Sequence, residues 1–159
     1  MTFTEKQFID FFENIATNLK PINGFIQLDT VSAMLAAWKQ STVESPMLCI
    51  EPPDYIVDGV PSGSTKRKYR AAFTYAMVVD MKDSEALTQC RDELDIYIQE
   101  TIAHIRDNSG DIDKLFWKLE DNFQVMPTPP LNNMKMAGKR CEFSFFANHK
   151  YYKNNELWQ

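Results

Sequence analysis

Apolar residues recur at helical spacing from Thr4 to Leu19, where Phe8, Phe11, Phe12, Ile15 and Leu19 make one face. Thr4 with Gln7 three residues on is a capping-box pattern, and Pro21 and Gly24 stop the helix. Leu28, Val31, Leu35 and Trp38 predict a second, shorter helix with Asp29 or Thr30 as its cap. At these spacings Phe12 and Trp38 read as core residues of amphipathic helices. Met47 to Ile50 predicts a short strand, which Pro52-Pro53 ends because proline cannot donate to a sheet ladder. Residues 51–67 hold Pro52, Pro53, Gly59, Pro61 and Gly63 without periodicity, the mark of a long loop or an extended hairpin tip.

From Lys68 to Met81 the chain alternates. Tyr69, Ala71, Phe73, Tyr75, Met77 and Val79 form an apolar set, and Arg70, Ala72, Thr74, Ala76, Val78 and Asp80 a mixed, small one. That predicts a strand with one face on the core and the other lightly covered. Asp83-Ser84-Glu85 opens the longest helix, which runs to about Asp107, with Gly110 as its stop. Its apolar stripe is Leu87, Cys90, Leu94, Tyr97, Ile98, Thr101, Ile102 and Ile105. Ile112, Leu115, Phe116 and Leu119 predict a helical turn, and Phe123 to Met126 a short strand. Pro127-Thr128-Pro129-Pro130 opens a second long loop, 127–138, before a last strand from Lys139 to Ala147. In that strand Cys141, Phe143, Phe145 and Ala147 face one way and Arg140, Glu142, Ser144 and Phe146 the other.

This order predicts an α+β fold: a mainly antiparallel four-stranded sheet with amphipathic helices packed on one face. Residues 1–148 form one domain, and residues 149–159 a C-terminal arm carrying Tyr151, Tyr152 and Trp158 without a core of its own.

Composition narrows the chemistry. The chain has 159 residues but only 5 Gly, 2 His and 3 Cys. Gly-rich phosphate cradles, His/Cys metal clusters and disulfide scaffolds all need residues that are scarce here. The glycines fall at predicted breaks, and Cys49, Cys90 and Cys141 fall on apolar faces, as small buried thiols do. His104 and His149 have no motif around them, and Asp111 and Asp113 read as turn caps. The expectation is a non-enzyme with no cofactor and no metal. No apolar run approaches the ~18 residues of a membrane span, and the start of the chain lacks a signal-peptide pattern. The chain is expected to be soluble and made in a reducing cytoplasm.

Net charge is −5, and its distribution matters more than its size. Between Ser84 and Asp107 six acids face two bases, a net of −4. Glu85, Asp92, Glu93, Glu100 and Asp107 are expected on the outer face of that helix. Against them stand a basic run, Lys66, Arg67, Lys68 and Arg70, and a second basic set, Lys135, Lys139 and Arg140, at the last strand. The acidic whole disfavours direct nucleic-acid or membrane binding. If the opposed charges lie on opposite flanks, copies can pack head to tail, a contact that closes into a ring when the rotation permits. Met134 and Met136 in the second loop and Tyr151, Tyr152 and Trp158 in the arm complete the expected protein interface.

The start Phe8-Ile9-Asp10-Phe11-Phe12, the strand Tyr69 to Val79 leading through Asp80-Met81-Lys82-Asp83-Ser84 into the long helix, and the closing strand Gly138 to Phe146 resemble the tail-terminator (tail-completion) proteins of long-tailed bacteriophages. More loosely they resemble other small neck and head–tail joining proteins. The likeness covers residues 4–148 in pattern. It implies an α+β sheet backed by helices, and a homo-oligomeric ring, commonly a hexamer, that caps the tail tube and joins it to the neck. It further implies a place in the virion, tail-tube and neck proteins as partners, and loops 51–67 and 127–138 as the contact segments. Two other readings stand beside it: an adaptor that binds a protein through its C-terminal arm and loops, and a small-molecule-binding domain or enzyme built on the aromatic core.

Overall fold

A computed structural model describes residues 3–20, 22–28, 45–59, 65–80, 82–128 and 136–148. The elements are α1 (Glu5–Asn18), β1 (Gly24–Gln27), β2 (Met47–Gly59), β3 (Thr65–Val78), α2 (Ser84–Asp107), β4 (Lys118–Leu119), β5 (Gln124–Pro127) and β6 (Met136–Asn148). The sheet runs β1-β2-β3-β6, and β4 and β5 share the outer edge of β6. β1 lies parallel to β2, and the other pairs are antiparallel. The fold is therefore α+β as expected, but the sheet is mixed and six-stranded rather than four-stranded. β1 and β4 escape a sequence reading because four and two residues carry almost no periodicity. The helix expected over 28–38 lies outside the described residues, apart from Leu28.

The segment 51–67 follows the hairpin alternative, and what is corrected is the end of the strand before it. Pro52 and Pro53 do not end β2. The β2–β3 register shifts between Glu51 and Asp54, so the prolines sit in a bulge and owe no ladder hydrogen bond. Pairing then resumes at Asp54↔Arg70 and continues to Gly59↔Thr65. Residues 51–59 and 65–67 are thus the arms of a long hairpin. The second loop is also shorter than expected, since β5 includes Pro127 and β6 begins at Met136. Nor does every glycine mark a break, because Gly138 lies inside β6. A methyl group there would stand 2.7 Å from Thr128 Oγ1 and 3.1 Å from the Tyr75 carbonyl oxygen, so glycine lets the strands approach. Residues 112–117 form turns and bends, and Lys118–Leu119, expected in a helical turn, are β4. Gly110 takes φ +90°, and Phe116 N–H bonds to the Asn108 carbonyl at 3.1 Å, which returns the chain to the core.

Both helices cover one face of the sheet. Thr4 and Gln7 form the expected capping box, and Asp83 caps α2 by accepting from Glu85 and Ala86 N–H at 3.0 Å each. α1 places Phe12 5.5 Å from Phe73 and Phe8 stacked on Phe145. Phe116 meets Phe145 edge-on at 4.9 Å. α2 lays Leu94, Ile98, Ile102 and Ile105 on the same cluster. The Tyr75 and Thr101 hydroxyls share a buried hydrogen bond of 2.7 Å. The opposite face is buried at one end as well, by Leu28, Met47, Cys49, Ala72, Thr74 and Ala76. The β3 residues there are small, as the alternation indicated, but the face is buried rather than lightly covered.

Tyr75→Phe is expected to cost about 1 kcal/mol, because Thr101 loses its buried partner. Adding Thr101→Val should cost less than the separate effects sum to, which urea denaturation of the three variants would measure. All three cysteines are buried thiols outside any disulfide. Burial, the main cause, raises the Cys141 thiol from 9.0 to about 12. The unfolded chain therefore loses this proton first. Its contribution to stability is complete below pH 9 and falls by about 1.4 kcal/mol per pH unit between 9 and 12. A Cys141→Ala chain should show a shallower alkaline loss in denaturant midpoints taken across that range.

Candidate functional site

β1 accompanies β2 only from Met47 to Ile50, and the last bond between them runs from Leu28 N–H to the Ile50 carbonyl at 2.8 Å. Beyond that point the outer edge of β2 has no neighbouring strand among the described residues. The hairpin also extends past the helical cover, so Tyr55, Ile56 and Val57 are 50, 71 and 50% exposed. Alternation splits the basic run between two faces. Arg67 stands on the helix side, its guanidinium 4.2 Å from the centre of the Tyr55 ring, and Tyr55 lies 5.6 Å from Tyr69. Lys68 and Arg70 stand on the other side with Ile56 and Phe146. There Lys68 reaches Glu120 at 2.7 Å and Arg70 reaches Asp54 at 3.4 Å. Both pairs are solvent-exposed and hold weakly. Lys68 and Lys118 approach the Phe146 ring from two strands, at 6.0 and 5.8 Å. A depression of about 230 Å³ opens between Asp54, Tyr55, Ile56, Lys68, Arg70 and Ser144. Lys66 extends β3 opposite Asn148.

The second basic set does not form a patch. Lys139 points to the helix side and pairs with Asp95 of α2. Arg140 points to the opposite face, where its Nε and one terminal nitrogen donate to both Glu51 oxygens at 2.6 and 2.7 Å and its other nitrogen donates to Glu142. The Glu51 hydrogen bond, aided by Glu142 against the cost of partial burial, raises the Arg140 pKa further. The guanidinium is thus a clamp across β2 and β6, beside a hollow of about 330 Å³ at the proline bulge. Lys135 lies outside the described residues.

The acidic helix keeps most of its expected face. Glu85, Asp92 and Glu100 are exposed. Glu93 instead turns inward to accept the Tyr97 hydroxyl, one helical turn away. Burial and then Glu93 push the Tyr97 hydroxyl up from its usual range. Met136, expected at the interface, is buried in the sheet, because β6 starts there. Met134, Tyr151, Tyr152 and Trp158 lie outside the described residues. Two features were missed. Ile96, 61% exposed on α2, fell outside the apolar stripe. The Tyr55-Ile56-Val57 run, with its high β-propensity, was hidden by the Pro pair before it.

A groove of about 390 Å³ separates α1 and α2 near Asn14, Asn18, Glu100, Thr101 and His104. Its polar groups largely serve one another. Asn18 donates to Asn14 Oδ1 at 2.6 Å, the Thr101 hydroxyl is shared with Tyr75, and His104 stacks on Phe11 at 5.3 Å. Among the described residues no three His, Cys, Asp or Glu side chains gather as a metal site, and no helix is long and apolar enough to cross a membrane. Compared with known protein families and with curated proteins, the sequence matches none of them.

Arg140→Ala should destabilise the chain by about 2 kcal/mol, since it leaves two half-buried carboxylates side by side. Ile56→Ser should change stability by less than about 0.5 kcal/mol, because that side chain contributes little to the core. Thermal melts of the two variants separate the clamp from the exposed surface.

Proposed function

We propose that this chain is a structural, non-enzymatic subunit of a phage tail or neck. Copies of it form a homo-oligomeric ring that terminates the tail tube and joins it to the head–neck. The observation that carries this reading is the hairpin. Its outer half extends beyond the helix-covered core with an edge that no described strand pairs and with three consecutive exposed apolar residues. Left uncovered, such a surface is a standing hazard for non-specific strand pairing. An oligomer that buries it removes the hazard. The split of charge supports the same reading, since exposed acids on α2 and exposed bases on the far sheet face give one copy two unlike surfaces. Contacts between unlike surfaces build rings. Tail-tube and neck proteins are then the partners at the two ring faces, and the virion is the site of action.

Light scattering of the purified chain at low and high salt is expected to return one oligomer with a mass several times that of the chain. Raising the salt should weaken it, as contacts steered by charge require. Electron micrographs should show rings of uniform diameter. A strict monomer at high concentration in both salts overturns the reading.

A further inference from the structure

The exposed residues of α2 form a line that no part of the described chain covers. Asp92, Ile96 and Glu100 follow at intervals of one turn and share one face. Ile96 is 61% exposed, and neither Asp92 nor Glu100 has an ion pair among the described residues. The result is an apolar knob between two unneutralised acids. The hairpin depression of about 230 Å³ is the counterpart: Ile56 supplies apolar surface and Lys68 and Arg70 supply cations, with Asp54 and Ser144 also in its lining. The acids on α2 are about 12 Å apart by helical rise, and the two cations about 7 Å apart by strand rise. Their long, mobile side chains span the difference.

These two surfaces cannot meet within one copy. α2 covers the sheet face of Phe73 and Tyr75, with Asp92 and Glu100 exposed to solvent. Ile56, Lys68 and Arg70 stand on the other sheet face. We propose that Ile96 of one copy seats in the hairpin depression of the next, with Asp92 and Glu100 against Lys68 and Arg70. The occupant is a second copy of this chain because both halves of the match, apolar and ionic, are present on its own surface and point in opposite directions. Lys68 and Arg70 give up only weak exposed pairs, with Glu120 and Asp54, to make the contact. The contact is heterologous, so each bound copy presents a fresh knob and a fresh depression. This inference rests on the ring reading and assigns that ring its subunit interface.

Two variants test it, each altering exposed side chains alone: Ile96→Asp on the helix, and the double change Lys68→Glu with Arg70→Glu on the hairpin. Circular dichroism checks that both remain folded. In sedimentation velocity each variant alone should assemble about tenfold more weakly than the unaltered chain, or not at all. Mixed one to one, they should form a dimer that grows no further, because the intact hairpin of the first meets the intact helix of the second. Oligomers of unchanged size in both variants overturn this contact and leave the ring standing. A monomeric unaltered chain overturns the ring and this contact with it.

Discussion

The β3–β6 ladder runs without a slip from Lys66↔Asn148 to Val78↔Met136, and the other elements take their places from it. Because the side-chain period of a strand is two, this one register puts Tyr69, Ala71, Phe73 and Tyr75 on the same face as Cys141, Phe143, Phe145 and Ala147. A one-residue slip would turn that whole set outward. The aromatic rings it assembles are the surface on which α1 and α2 pack, and the edge-on and offset contacts of Phe12, Phe73, Phe116 and Phe145 give the core its specific geometry. The Tyr75–Thr101 hydrogen bond then fixes the rotation of α2, since a buried hydroxyl without a partner is costly. With the rotation fixed, Ile96, Asp92 and Glu100 must point to solvent.

β2 shows how a local rule yields to a longer-range one. Two prolines in succession remove two donors, and a central strand cannot tolerate that. The bulge between Glu51 and Asp54 takes them out of the ladder, so the strand survives and bends. The Arg140 clamp across Glu51 and Glu142 lies at the same level, tying the strand before the bulge to β6. β1 ends just before the bulge. Beyond the prolines, no described strand pairs the outer edge of Tyr55-Ile56-Val57.

Electrostatics divides the surface in the same way. Where charges are partly buried in the fold they are matched: Lys139 with Asp95, and Arg140 with Glu51 and Glu142. The formal charge of −5 is felt instead on the outward side of α2, and exposed cations gather around the hairpin depression. The separation of these groups, more than the net value, gives the molecule two unlike sides.

Amphipathic periodicity alone determined α1, α2, β3 and β6, their inward faces and the α+β class. Each of these elements is long enough for its period to show above local noise. The basic run and the acid-rich helix were legible as well, because charge can be read residue by residue. What tertiary structure decided was the partner of each charge. Alternation split Lys68 and Arg70 from Arg67, and Lys139 from Arg140, and only strand register says which face meets which helix. It also decided that Pro52 and Pro53 interrupt β2 without ending it, that Glu93 and Met136 turn inward, and that Ile96 is left exposed. Such outcomes depend on neighbours tens of residues away along the chain, so no window of local sequence contains them.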